Sequence, residues 1–112
     1  MNNTKRKVNV LGTDYDIIIS DKDNPKMVNA NGYCEFYSKK IVLEDIQPDD
    51  TTIENLDAFK RKVLRHEIIH AFFAESGLRG NCDYAVNEEL VDWLAIQFYK
   101  IDKAFKEVNC AE

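Results

Sequence analysis

The two histidines of this chain lie four positions apart, and a glutamate directly follows the first. His66, Glu67 and His70 form the pattern His-Glu-x-x-His in a stretch, residues 60–77, whose apolar spacing is typical of a helix. At this spacing both imidazoles project from one helix face and can bind a single zinc ion. Glu67 then lies beside the metal, where it can take a proton from a water on the zinc and pass it to a leaving amine. The motif predicts a zinc site with Glu67 as general base.

A catalytic zinc generally has three protein ligands, so the two histidines need a partner. Because the chain has no other histidine, Asp, Glu or Cys must supply it, and acidic residues cluster at the start of the second predicted helix. Glu88 and Asp92 are one turn apart, so one can bind the metal while the other accepts the free ring N–H of a ligand histidine. Glu88 borders the apolar helix face, whereas Glu89 points further toward solvent. We favour Glu88 as ligand, with Glu89 as the alternative. The same residues would also suit the positive end of a helix dipole.

The motif belongs to a long predicted helix. Thr51, with Glu54 three residues later, has the form of a capping box at its start, and Gly77 is a plausible stop. Its predicted inner stripe follows helical spacing through Leu56, Phe59, Val63, His66, His70 and Phe73. The histidines could instead be core residues hydrogen-bonded to backbone. Burying them around a glutamate without metal would cost a few kcal/mol for each unpaired group, so metal explains the pattern better.

The remaining periodicity predicts a second helix and a small sheet. The second helix runs from about Asn87 to Val108, with Trp93 at its flank and an apolar face against the first helix and the sheet formed by Leu90, Val91, Leu94, Phe98, Ile101 and Phe105. Residues 7–19 predict a hairpin turning at Gly12-Thr13-Asp14, followed by strands at 33–37 and 41–43. We therefore expect an α+β fold, with a small antiparallel sheet of three to four strands followed by two long helices, as one domain over residues 1–112.

The charge and the cysteine content of the chain limit the classes of binding partner and the cellular location that we expect. The net charge of −5 disfavours nucleic acid, because phosphate binding requires a basic surface. No apolar run reaches the roughly 18 residues of a membrane helix, and no signal-peptide segment is seen, so we expect a cytoplasmic protein without a membrane partner. Three widely spaced cysteines, Cys34, Cys82 and Cys110, fit reduced thiols. We expect all three to be buried small side chains or free surface thiols. The alternative concerns Cys82, which lies in the loop before the predicted third ligand and could touch the metal.

These features together resemble a known family. A His-Glu-x-x-His helix followed by a Glu-bearing helix, with its E-x-x-x-D spacing, resembles the gluzincin zinc metallopeptidases. The small size, the sheet before the motif and the segment NEELVDWLAIQF after it look most like compact phage-type and ImmA/IrrE-like metallopeptidases. The resemblance covers mainly residues 66–98. Two features depart from it: Ile69 stands where such motifs often have glycine, and no third histidine is present to stabilise an oxyanion.

The resemblance implies a zincin-like fold and hydrolysis of a peptide bond in a protein or peptide substrate, in the cytoplasm of a bacterium or a phage-infected host. It leaves the oxyanion donor open among Tyr84, Tyr99 and Arg79. An extended substrate could add a strand to an exposed sheet edge, for which residues 40–44 are the expected site.

Two other functions fit the same residues. The chain could be a zinc-stabilised interaction module that acts in phage or prophage gene control without turnover. It could also be a helical domain without metal, in which the motif is accidental. The sequence predicts neither the natural substrate nor the oligomeric state.

Overall fold

Four strands precede two long helices in this protein. The computed structural model describes residues 6–21, 23–27, 29–48 and 53–112. The main elements are β1 (Arg6–Val10), β2 (Thr13–Ile19), β3 (Gly32–Glu35), β4 (Lys40–Leu43), α1 (Leu56–Glu75) and α2 (Glu88–Glu107). Short 3-10 helices cover Pro25–Met27, Leu78–Gly80 and Asp83–Val86. The predicted α+β class, with a small sheet followed by two long helices, is confirmed. Within the described ranges, neither helix combines the length and apolar character needed to cross a membrane.

The sheet is mixed, with the spatial order β1-β2-β4-β3. The β1–β2 and β3–β4 pairs are antiparallel, as expected, but β2 and β4 are parallel, with Ile17 opposite Ile41. The prediction that residues 40–44 form an exposed edge is therefore wrong. β4 lies between two strands, which explains its consecutive buried residues Ile41, Val42 and Leu43. The free edge on this side of the sheet belongs to β3.

The first hairpin turns one residue earlier than predicted. Leu11 and Gly12 have φ values of 49° and 93°, so they form a two-residue turn with both φ angles positive, and Thr13 already belongs to β2. The Asn9 side chain supports the turn by accepting a hydrogen bond from the Gly12 backbone N–H at 3.1 Å. This turn twists in the sense that antiparallel strands require.

One face of the sheet packs against α1. The core that they enclose contains Val10, Tyr15, Ile41, Leu43, Val63 and Ala71. The buried positions of α1 are Val63, Glu67 and Ala71, spaced four residues apart. The predicted inner stripe is therefore displaced: Glu67 lies at its centre and is only 6% exposed, whereas His66 and His70 lie at its border, toward α2. The sheet thus orients the glutamate, and the second helix faces the histidines.

Both long helices have asparagine caps. Asn55 accepts a hydrogen bond from the Ala58 N–H, and Asn87 accepts one from the Leu90 N–H. The predicted capping box cannot start α1, which begins at Leu56, and its Thr51 lies outside the described residues. The predicted stop is confirmed, because α1 ends at Glu75 and Gly77 follows with a φ of 82°.

Only the first half of α2 packs as predicted. Its buried residues are Val91 and Ala95, whereas Phe98 is 57% exposed and Phe105 is 47% exposed. The prediction that the whole apolar face packs against α1 and the sheet is therefore wrong. At the level of Ala95, α1 presents the charged side chain of Arg65, which donates to the Ala95 carbonyl and places its guanidinium 5.3 Å from the ring centre of Tyr99.

Candidate metal centre

Three potential metal ligands converge between α1 and α2. The Nε2 atoms of His66 and His70 are 3.2 Å apart. The Oε2 atom of Glu88 lies 3.2 Å from the Nε2 of His66, and the Oε1 atom of Glu88 lies 2.7 Å from the Nε2 of His70. One ligand atom from each of these residues lies within 4.8 Å of the others. The fold therefore brings together the two histidines of the motif and the first glutamate of α2.

The donor set and its spacing fit a metal ion. Two nitrogens bound to one tetrahedral zinc at 2.0–2.1 Å lie about 3.3 Å from each other, close to the distance between the two Nε2 atoms. The two rings are edge-on, with an interplanar angle of 67°, so both Nε2 atoms can face a common point. Two imidazoles and one carboxylate can hold a metal ion in this arrangement.

Asp92 orients His66 from the other side of the ring. Its Oδ1 lies 3.1 Å from the Nδ1 of His66 and also accepts a hydrogen bond from Lys62 at 3.0 Å. The Lys62 hydrogen bond and that of His66 lower the pKa of Asp92. An ionised carboxylate at this position favours the tautomer of His66 that carries its proton on Nδ1, which leaves the Nε2 lone pair free.

Burial and the neighbouring charge of Glu88 act in opposite directions on the pKa of His70. Burial lowers the pKa of His70, and the nearby Glu88 opposes this shift. Its side chain is 14% exposed, while that of Glu88 is 68% exposed. The centre is thus buried on the side of the histidines and open on the side of the glutamate.

Glu67 lies beside this group without belonging to it. Burial raises the pKa of Glu67 to about 7, His66 lowers it, and Glu88 raises it further. A Cβ at Gly32, the first residue of β3, would lie 3.4 Å from the Cγ of Glu67, which is ordinary van der Waals contact. The start of β3 therefore lies directly beside the glutamate.

A cleft follows the free edge of β3 past Glu67. It consists of two cavities, of about 280 Å³ and about 220 Å³. The residues that line both are Gly32, Glu67 and Glu88. The larger cavity extends toward Phe36 and Arg79, and the smaller one toward Lys62 and Asp92. The candidate metal centre therefore lies in the middle of an open groove, next to a strand edge.

The other predicted site residues lie at different distances from the centre. Glu89 is exposed and is not part of the group of three potential ligands. Arg79 lines the larger cavity. Tyr84 packs against Phe73 with ring centres 6.0 Å apart, and Tyr99 lies beside Arg65. Neither tyrosine lines the cleft, so Arg79 is the predicted oxyanion donor that the fold brings nearest to it.

The three cysteines are free thiols, as expected, but the one at the cleft is Cys34 and not Cys82. Cys34, on β3, lines the larger cavity, whereas Cys82 hydrogen-bonds with Tyr84 and is absent from both the cleft lining and the group of potential ligands within the described residues. Burial raises the pKa of the Cys34 thiol to about 12, so this thiol is protonated at neutral pH. It contributes a small apolar surface to the cleft.

The cleft residues that escaped prediction include Gly32, Phe36 and Lys62. The first two follow from the position of β3 at the sheet edge, which depends on the parallel β2–β4 pairing and has no short-range signal. For Lys62 a signal exists, because it precedes His66 by four residues and so lies on the same helix face.

Comparisons of this chain with family models, curated proteins and solved structures gave no match. The function must therefore be argued from the geometry of the cleft and the chemistry of its side chains.

Proposed function

We propose that this protein is a zinc-dependent peptidase in which Glu67 is the general base and then the general acid. The observation that carries the proposal is the convergence of His66, His70 and Glu88. Beside them lies the buried carboxyl group of Glu67, which is not part of this group. Structural zinc sites usually use four protein ligands, whereas a three-ligand site with an adjacent carboxylate is typical of hydrolysis.

We infer zinc as the metal from the donor set together with the adjacent Glu67. Imidazole nitrogens suit zinc, copper, iron and nickel, whereas magnesium and calcium prefer oxygen ligands throughout. Two histidines and one glutamate are a known ligand set of catalytic zinc. When bound, the metal supplies Lewis-acid polarisation of a carbonyl and a lowered pKa for water.

The residues of the chain have separate roles in the proposed reaction. Glu67 takes a proton from the attacking water as the new C–O bond forms at the carbonyl carbon. It then donates that proton to the amine nitrogen, and the C–N bond breaks. Asp92 holds the ring of His66 in place. β3 is the last strand on its side of the sheet in the described part of the chain, and its outer edge can pair with an extended peptide. This free edge makes a peptide the preferred substrate class.

The decisive experiment measures metal content and cleavage together, on protein without a histidine tag. We expect about one equivalent of zinc in the parent protein and its loss in His66→Ala. Glu67→Gln should keep the zinc while cleavage of a denatured, fluorescently labelled casein falls by about 10²- to 10⁴-fold. The matched control is Glu89→Gln, which changes an exposed glutamate outside the group. Equal cleavage by Glu67→Gln and the parent would refute the assignment of the base.

A zinc-stabilised interaction module without turnover is the second candidate function. The exposed apolar side chains of α2 favour it, since Trp93 is 52% exposed and Phe98 is 57% exposed. In that case the parent protein cleaves none of the peptides tested, and His66→Ala lowers the melting temperature through lost metal binding. Partner binding would then survive in Glu67→Gln.

A further inference from the structure

Arg79 places a positive charge in the cleft without a carboxylate partner. It lies in the short 3-10 helix that follows α1 and lines the larger cavity together with Glu67 and His70. Within the residues that the structure describes, no Asp or Glu oxygen comes within 4.0 Å of its guanidinium. The guanidinium is thus available to a group that enters the cleft.

The smaller cavity offers no comparable charge. Its lysine, Lys62, is held by Asp92 at 3.0 Å, and this carboxylate already supports His66. The two ends of the cleft therefore differ: the end at Lys62 is neutralised, and the end at Arg79 is cationic. An asymmetric groove of this kind can distinguish substrates by the position of a charged side chain.

An aromatic ring contacts the guanidinium of Arg79. Its Cζ lies 4.2 Å from the centre of the Phe36 ring, and Phe36 directly follows β3. Stacking on an aromatic face restricts a guanidinium and leaves its N–H groups directed outward, where they can bind both oxygens of a carboxylate. The positive charge of Arg79 also acts on Cys34, which lines the same cavity. Burial raises the pKa of the Cys34 thiol, and Arg79 opposes that rise.

We propose that Arg79 is a specificity-determining residue that selects peptides carrying an Asp or Glu side chain on its side of the scissile bond. This inference rests on the proposed peptidase function. A peptide paired with the edge of β3 would direct alternate side chains into the cleft, and one of them would meet the guanidinium stacked on Phe36. The protein has a net charge of −5 and the cleft contains Glu67 and Glu88, so an acidic peptide needs this local cation.

Matched peptides provide the test. A set of quenched fluorescent decapeptides carries a single Glu at each position in turn, and a second set carries Gln at the same positions. For the zinc-loaded parent protein we expect one Glu position at which kcat/KM exceeds that of the Gln peptide by about 10- to 100-fold, the effect of a charge-assisted hydrogen bond. Arg79→Gln should reduce this ratio to about one, and Arg79→Lys should retain part of it. Lys103→Gln is the matched control, since Lys103 is an exposed cation outside the cleft.

Two outcomes would overturn the inference. The first is a Glu to Gln ratio near one in the parent protein at every position. The second is an equal loss of kcat/KM for both peptide sets in Arg79→Gln with the ratio unchanged, which would identify Arg79 as an oxyanion donor instead.

The same peptides separate this inference from the peptidase proposal. If the parent protein cleaves none of them, the peptidase proposal fails. Binding of the same sequences, labelled with the fluorophore but without the quencher, is then measured by fluorescence anisotropy. Preferential binding of one Glu peptide that disappears in Arg79→Gln would support the role of Arg79 without turnover. Equal binding of the Glu and Gln peptides would refute it.

Discussion

Asp92 and His66 are joined by a hydrogen bond of 3.1 Å at Nδ1, the ring nitrogen opposite the one that faces Glu88. The carboxylates of Glu88 and Asp92, both on α2, therefore contact the same imidazole at its two nitrogens. Their spacing of one helical turn allows this, because residues four apart lie on the same face. One residue can bind a metal while the other fixes the orientation of the ring.

Removing this support should weaken metal binding without removing a ligand. We expect Asp92→Ala to raise the dissociation constant for zinc by about 10- to 100-fold, the usual effect of losing the hydrogen-bond partner of a ligand histidine. Competition with a chromophoric zinc chelator measures the change. Glu89→Gln, in the same turn of α2, serves as the control and should bind zinc as the parent does. An affinity for zinc within twofold of the parent in Asp92→Ala would contradict this role.

Adding a single methyl group at Gly32 should disturb the cleft. A Cβ at this position would lie 3.1 Å from the backbone oxygen of Val42 and 3.4 Å from the Cγ of Glu67. Because the Val42 oxygen belongs to a central strand and cannot easily move, we expect Gly32→Ala to lower the free energy of unfolding by about 1–3 kcal/mol. It should also lower kcat/KM, since a displaced β3 changes the wall of the cleft beside Glu67. Urea unfolding and peptide cleavage measure the two effects.

Gly80 supplies the control for this substitution. A Cβ at Gly80 meets no atom within 4 Å, and its backbone is not in the positive-φ region. Gly80→Ala should therefore be neutral, or stabilise the protein by about 0.4–1 kcal/mol through the unfolded chain. Equal stability of Gly32→Ala and Gly80→Ala would show that β3 can accommodate a methyl group beside the Val42 oxygen.

Glu75 makes the stability of the fold depend on pH. It accepts hydrogen bonds from Lys39 at 2.8 Å, Tyr15 at 2.6 Å and Thr13 at 2.9 Å, and these, with Lys39 first, lower the pKa of Glu75 from 4.5 to about 2. A lowered folded-state pKa adds stability that is fully present above the unfolded-state pKa and lost as the pH falls toward the folded-state pKa. Its contribution should therefore disappear between about pH 4.5 and pH 2.

Glu75→Gln tests this dependence in metal-free protein, so that loss of metal at low pH does not contribute. We expect the variant to be less stable than the parent at pH 7 and the difference in free energy of unfolding to shrink toward pH 2. Urea titrations at several pH values provide the measurement. Glu54→Gln is the control, because Glu54 is an exposed carboxylate before α1. A difference between Glu75→Gln and the parent that is constant with pH would rule out the proposed linkage.

The features that depend on spacing within one helix could be predicted from the sequence. The interval between His66 and His70 placed both rings on one face of a helix, and the periodicity of α2 favoured Glu88 over Glu89, which the geometry of the three potential ligands matches. Such relations depend only on the repeat of a helix. The fold class followed for the same reason, since strand and helix periodicities differ.

Relations across the chain were harder to predict. The parallel pairing of Ile17 with Ile41 puts β4 inside the sheet and β3 at its edge, and no turn signal encodes a pairing between distant segments. The run Ile41-Val42-Leu43 was the available clue, because consecutive apolar residues indicate a strand buried on both faces. Similarly, the apolar spacing of Phe98 and Phe105 shows that a face exists, but does not reveal whether this chain covers it.

The contacts of α1 have a mechanical consequence for the cleft. Glu75 joins the last turn of α1 to Tyr15 of the sheet, and Val63 and Ala71 of α1 are packed in the core. The two imidazoles therefore belong to a helix that is held against the sheet. By contrast, α2 buries only Val91 and Ala95. Any change in the separation of the two helices would therefore move Glu88 relative to the two imidazoles, which stay in place on α1. The Glu88 carboxylate is thus the potential ligand whose position can vary.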